Sequence, residues 1–272
     1  MVYPFLIWLL SFHTAFVPCP CRKSSDYKIS FQKISRCEIP AQINESSGLV
    51  IKNDTLYSIN DSGGFPYLYT FTNTCIFIDS ILVPSAKNTD WEEITLDSSQ
   101  NILIGDFGNN SQKRKNLVVY NSTNGKQLNF NYSDQTEFPP IRKRNYTFDA
   151  AAFSFIKDTF CIISKNGNWE KEHIYFLPAK GTSPVTIYPR TLRIRGMVTG
   201  ATRINDTLFA VLTYGKIYIF EFANNKNLMS SEIRLVYCKK IPFAKQCEAI
   251  AFDVQNDILY ISNEQRTLWG YK

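Results

Sequence analysis

Short apolar runs, three to five residues long, recur along the chain and are set apart by polar turn formers. One pattern returns at intervals of roughly 50 residues, a spacing typical of repeat architectures. It is an acidic residue, three small or apolar residues, then a large apolar one. The copies are Glu45-Ser-Ser-Gly-Leu49, Glu92-Glu-Ile-Thr-Leu96, Asp149-Ala-Ala-Ala-Phe153 and Glu248-Ala-Ile-Ala-Phe252, with a degenerate fifth at Thr199-Gly-Ala-Thr-Arg203. A second apolar run follows each copy: 56–59, 102–104, 160–163, 208–211 and 259–261. Turn formers such as Asn53-Asp54, Lys157-Asp158, Asn205-Asp206 and Asn256-Asp257 lie between the two runs. Strand, tight polar turn and second strand make a β-hairpin. A third apolar run completes most units, at 67–71, 117–120, 174–177, 217–220 and 268–271.

Units of three or four antiparallel strands repeated in this way predict an all-β fold, a β-propeller. Five blades are expected in a single domain over 27–272. Six is the alternative, if a degenerate blade occupies the longer interval between Glu92 and Asp149. The last unit stops at Lys272 after its third strand. Tyr27-Lys-Ile-Ser-Phe31 is expected to supply the fourth, closing the ring and covering two free sheet edges.

This architecture concentrates chemistry at one place. The first strand of each blade lines the central channel and the second returns antiparallel. The start of one and the end of the other therefore share a mouth. Starts carry Glu45, Glu92, Asp149, Thr199 and Glu248. Ends carry Asp61, Asp106, Lys165, Tyr214 and Glu264. Carboxylates gathered from several blades repel one another unless a cation, a proton or backbone N–H groups intervene. Glu45, Glu92, Asp149 and Glu248 are thus candidate ligands for Ca²⁺ or Mg²⁺, or for a cationic or polyhydroxylated molecule. Asp61, Trp91, Asp106, Lys165 and Glu264 are candidate ligand contacts beside them. The competing structural reading has the acidic residues bonding a neighbouring blade's backbone, and Trp91 packing between blades.

Composition narrows the function classes. Hydrophobic residues at 44% and charged residues at 20% support a sizeable core. The net charge of +6 is dispersed rather than clustered, which argues against a nucleic-acid face. Only His13 and His173 exist. Triad-type nucleophilic catalysis and histidine zinc sites therefore have little to work with. No Gly-rich phosphate loop is present. Residues 1–20 carry an apolar stretch that reads as a signal peptide or N-terminal anchor, and Cys19 raises a lipoprotein variant of it. Localisation is expected to be secreted, cell-surface or periplasmic, with membrane contact only through that segment. Seven cysteines and eight Asn-x-Ser/Thr sequons are present. Cys161 reads as a buried, inert thiol.

Glu45-Ser-Ser-Gly-Leu49, Asn60-Asp61-Ser62-Gly63, Asp90-Trp91-Glu92-Glu93-Ile94 and Gly105-Asp106-Phe107-Gly108-Asn109-Asn110 together resemble a group of exported bacterial β-propeller proteins of largely uncharacterised function. A more distant similarity is to gluconolactonase-type and strictosidine-synthase-like propellers, which place a Glu early in the first inner strand, as Glu45 stands here. That likeness implies a metal-dependent hydrolase acting on lactones, esters or phosphate esters. The leading expectation is a monomeric binding or scaffold propeller for a small-molecule, glycan or protein ligand, with the cation-assisted hydrolase as the alternative.

Overall fold

A computed structural model describes residues 31–141, 148–165, 172–180, 185–224, 226–241 and 246–272. The expected leader, residues 1–20, lies outside the described residues. Among the described residues the strands form five sheets, antiparallel except for one parallel strand pair. Blade 1 contains β1's neighbour in the ring: β2 (Ser46–Lys52), β3 (Thr55–Asn60), β4 (Tyr67–Thr72) and β5 (Phe77–Leu82), in that order, where β1 is Lys33–Glu38. Blade 2 is β6 (Trp91–Leu96), β7 (Ile102–Asp106), β8 (Leu117–Asn121) and β9 (Gln127–Tyr132). Blade 3 is β10 (Ala150–Ile156), β11 (Thr159–Ser164) and β12 (Glu172–Pro178), with β14 (Pro189–Leu192) outermost. The short β13 (Val185–Ile187) leaves blade 3 and pairs parallel with β9, giving blade 2 a fifth strand. Blade 4 is β15 (Val198–Arg203), β16 (Leu208–Thr213), β17 (Lys216–Phe222) and β18 (Ile233–Lys240). Blade 5 is β19 (Cys247–Asp253), β20 (Ile258–Asn263) and β21 (Thr267–Tyr271), completed by β1.

The inner strands touch in a closed cycle: β2 with β6, β6 with β10, β10 with β15, β15 with β19, and β19 with β2. The protein is a five-bladed β-propeller. The long interval between Glu92 and Asp149 holds no sixth blade among its described residues. It is taken up by β9 and the loop that follows.

Each interface between blades has its own apolar cluster. Trp91 and Ile94 pack with Val50 and Ile59 between blades 1 and 2. Phe107 and Phe130 meet Phe153 and Tyr175 between blades 2 and 3. Ala152 and Cys161 meet Phe209 and Val211 between blades 3 and 4. Leu212 and Ile217 meet Ile250 and Trp269 between blades 4 and 5. Leu49 and Phe71 meet Ala249 and Tyr260 where the ring closes. Both faces of each sheet are therefore covered, which explains strands with little polar alternation. Each fully buried large side chain contributes about 1.5–3 kcal/mol.

The closing strand is displaced from its expected position. β1 pairs antiparallel with β21, and Gln32 exchanges backbone hydrogen bonds with Lys272 at 2.9 and 3.0 Å. Residues 27–30 lie outside the described residues, and Phe31 stacks on Tyr237 with ring centroids 5.4 Å apart. Apolar alternation did not mark β1 because it is an outer edge strand, where polar residues such as Lys33, Arg36 and Glu38 remain exposed at no cost. A Cys37–Cys75 disulfide ties β1 to the β4–β5 turn, joining the closing strand to blade 1. It spans 38 residues, a loop for which chain-entropy reasoning gives about 4 kcal/mol. Cys238 is also disulfide-bonded. Cys161 is a buried free thiol, and Cys247 is buried as well.

Candidate functional site at the acidic channel mouth

The same irregularity occurs in all five inner strands. Pairing slips between Ser46 and Gly48, Trp91 and Glu93, Ala150 and Ala152, Val198 and Gly200, and Cys247 and Ala249. A bulge leaves one residue unpaired and turns the strand. The skipped residues are Ser47, Glu92, Ala151, Thr199 and Glu248. The residues just before the inner strands are Glu45, Asp90, Asp149, Met197 and Gln246, and their carbonyls accept N–H groups from the ends of the second strands. Those bonds come from Asp61 (3.0 Å), Gly108 (3.1 Å), Lys165 (2.7 Å), Tyr214 (3.3 Å) and Glu264 (3.3 Å).

This register corrects the repeat alignment. Glu45 and Asp149 are equivalent to Asp90, whereas Glu92, Thr199 and Glu248 sit two positions later, inside the bulge. The sequence motif merged two rings of positions because both carry acidic residues.

The two rings bring carboxylates together at one mouth. Oxygens of Asp61, Asp90 and Glu92 lie within 4.8 Å of one another. Burial raises the Asp90 carboxyl to about 6, with Asp61 adding repulsion. Burial pushes Glu92 well above the usual carboxylate range; Lys165 opposes that, and Asp149, Asp61 and Asp90 add to it. Asp149 is raised by burial against the pull of the Asn109 backbone N–H, which donates to it at 2.7 Å, and of Lys165. Glu248 rises to about 7 through burial, although it accepts a 2.5 Å hydrogen bond from the Tyr214 hydroxyl. Burial should lower the Lys165 ammonium, yet Glu92, Asp149, Glu248 and Asp61 together hold it above its ordinary value. One lysine from blade 3 is thus the shared counter-ion of carboxylates from blades 1, 2, 3 and 5.

The Asp90–Asn110 region builds the wall of this site. Asp106 is 1% exposed, pairs with Arg114 at 2.7 Å and accepts the N–H groups of Thr89 and Asp90. It holds the loop ahead of β6 in place. Gly108 lies against the Asp90 and Glu92 carboxylates, and a Cβ there would collide with both. Asn109 caps Asp149 and donates its side-chain amide to Phe148 O at 3.0 Å.

One layer deeper, four inner strands carry Gly48, Ala152, Gly200 and Ala249, while the fifth carries Glu93. Glu93 is fully buried. Its Oε1 accepts N–H groups from Ile94 (3.0 Å) and Leu49 (3.3 Å), and its Oε2 accepts that of Ala201 (3.1 Å) on blade 4. Inner strands present unpaired backbone donors to the axis, and buried donors need partners. Glu93 satisfies three of them and seals the channel at this level. Burial pushes its carboxyl well up, partly offset by those three donors. Cβ atoms at Gly48 and Gly200 would approach its oxygens at 2.9 and 3.0 Å, so both glycines make room for it.

The sequence-predicted residues divide accordingly. Asp61, Glu92, Asp149, Lys165 and Glu248 meet at the mouth. Glu45 is exposed. Glu264 is engaged by Gln246 Nε2 at 2.5 Å. Asp106 stands behind the site on Arg114. Trp91 is buried between blades 1 and 2, its Nε1 donating to Lys87 O at 3.1 Å, and presents no face to a ligand. Sequence reasoning placed Tyr214 at this mouth by strand direction and missed Asp90 and Glu93 as site residues. Asp90 and Glu93 flank predicted Trp91-Glu92, so a bulge-aware alignment would have found them. Phe65, between β3 and β4, is 77% exposed.

Comparisons with known proteins add little to this geometry. No family model matches the chain. No curated protein matches it. Among solved structures, a chain of "Crystal Structure of Mitotic Checkpoint Complex" is 10% identical with a TM-score of 0.45, covering 82% of this chain; the present chain spans 60% of that one.

Proposed function

We propose that this protein is a binding propeller whose acidic mouth receives a cation. The observation that carries the reading is the cluster of Asp61, Asp90 and Glu92 oxygens within 4.8 Å of one another, with Glu92, Asp149, Glu248 and Asp61 holding the Lys165 ammonium charged beside it. Lys165 displays the charge that the site accepts. A further donor or acceptor stands in the same ring: Thr199, equivalent to Glu92 and Glu248, is 1% exposed and its hydroxyl has no hydrogen-bond partner. The Cys37–Cys75 disulfide supports an exported protein, since such bonds persist in oxidising compartments.

The Asp61–Asp90–Glu92 triad favours a second reading, a divalent-cation site of hard oxygen ligands. In that reading the metal supplies Lewis acidity and an activated water. The chain's part would be to hold the ion through these three carboxylates, whose buried acids the ion's charge would strip of protons, with Gly108 keeping the wall close.

Thermal-shift titration separates the readings. Ca²⁺, Mg²⁺ and Mn²⁺ are compared with spermidine and arginine methyl ester. A ligand at about 100 times its Kd adds about 2.7 kcal/mol, so a rise of several degrees is expected from at least one cation. Glu92→Gln removes that rise. Response only to polyamine or guanidinium supports the binding propeller, and response only to divalent ions supports the metal site. If no cation shifts the transition, both fall.

A further inference from the structure

The channel has a second mouth, beyond the Glu93 seal. A cavity of about 510 Å³ opens there, within the range of small-molecule sites. Its inner wall is formed by Val50, Thr95, Thr202 and Ala251, from four blades. Its rim differs in kind from the acidic mouth. Lys52 and Arg203 alternate around it with Asp97 and Asp253, and Asn53, Gln100 and Gln255 add amides. Two of the three rim carboxylates, Asp97 and Asp253, are fixed by their own turns. Asp97 accepts N–H groups from Ser99 and Asn101 at 2.8 Å, and Asp253 accepts those of Gln255 at 3.0 Å and Asn256 at 3.2 Å. Lys52 donates to Gln100 O at 2.7 Å, leaving further donors unspent. Phe252 is half-buried at the cavity wall.

The rim's charges, three carboxylates once Asp54 is included against two cations, nearly balance, with Arg203 also pairing with Asp206 at 3.1 Å. They give many directed donors and acceptors, held in place, around a partly apolar wall with one aromatic ring. Neutral polyhydroxylated molecules match that chemistry: hydroxyls pair with carboxylates, amides and cations, and C–H faces lie on the ring. We infer that this second mouth is a binding site for a neutral saccharide, independent of the cation site.

Saturation-transfer NMR on the full chain tests this with glucose, galactose, mannose, N-acetylglucosamine, lactose and maltose. Transfer to at least one sugar is expected. Arg203→Ala combined with Gln255→Ala should weaken it at least about tenfold, as loss of two directed polar contacts implies. Phe252→Leu, which keeps apolar bulk, should weaken it too, with circular dichroism unchanged. Glu248→Gln should leave it unaltered, so failure of the cation reading does not touch this one. No transfer from any of the six sugars overturns the inference. Binding indifferent to the Arg203/Gln255 pair, or lost with Glu248→Gln, overturns it equally.

Discussion

The two mouths of the channel are built from the same five strands and differ in how they treat charge. At the bulged end, carboxylates from four blades share one ammonium, and burial holds Asp90 near 6 and Glu248 near 7. At the hairpin end, Asp97 and Asp253 face Lys52 and Arg203 and are steadied by their own turn N–H groups. The bulge accounts for the difference. It releases one residue per blade from pairing, so side chains there can crowd a single axis, while the hairpin turns spread outward. Glu93 keeps the two environments apart.

The comparison depends first on that seal, and breaking it should have the largest effect. Glu93→Ala leaves the Leu49, Ile94 and Ala201 amides without their acceptor, at about 1–3 kcal/mol for a buried unsatisfied group. A total loss of about 3 kcal/mol or more is expected in urea unfolding. A loss below about 1 kcal/mol would mean that water already serves these amides and that the mouths communicate. Gly108→Ala comes next. Its Cβ forces Asp90 and Glu92 apart, for about 1–3 kcal/mol of overpacking, and should abolish cation-induced stabilisation while leaving the hairpin-end mouth untouched.

Protons test the charge contrast directly. Asp90 and Glu248 bind protons more tightly folded than unfolded. Between their unfolded values near 4 and their folded values, the native state therefore holds more protons than the unfolded one. Stability contributed by this protonation is full below about pH 4 and is lost as pH rises through 6 and 7. The melting temperature should fall from pH 5 to pH 8, and a bound cation should recover most of the fall at pH 8. Asp90→Asn and Glu248→Gln should flatten the profile. A profile that rises over this interval would show the cluster to be ionised and well paired. Lys165→Met gives a smaller change: with the internal competitor gone, an added cation should bind about tenfold more tightly, near 1.4 kcal/mol. Weaker binding would instead make Lys165 part of the recognition.

Much of the fold was legible because a propeller repeats its hydrophobic pattern five times, and the hairpins at 56–59, 102–104, 160–163, 208–211 and 259–261 match β3, β7, β11, β16 and β20. The mouth was legible through Asp61, Glu92, Asp149, Lys165 and Glu248, since strand direction alone gathers them. What escaped was set by contacts distant in sequence. The identity of the closing strand depends on which segment tolerates an exposed edge. Glu93 depends on facing blade 4 across the axis, with 108 residues between it and Ala201. The Tyr214–Glu248 hydrogen bond depends on two residues 34 positions apart meeting across the mouth.

Glu45 carries the smallest predicted effect and discriminates most finely. The repeat motif makes it the first member of the acidic ring, equal to Glu92 and Glu248. The bulge register makes it the counterpart of Asp90 instead, and it differs from Asp90 in exposure: Asp90 is partly buried among Asp61, Asp149 and Asp106, whereas the Glu45 side chain stands in solvent. Charges exposed to water interact weakly and are screened within about 8–10 Å at ordinary salt. Glu45→Gln should therefore alter cation affinity less than about twofold, a few tenths of a kcal/mol, and that remainder should vanish at 0.5 M salt, while Asp90→Asn keeps its effect there. Equal losses for Glu45→Gln and Asp90→Asn would restore the motif's alignment and place Glu45 inside the ring.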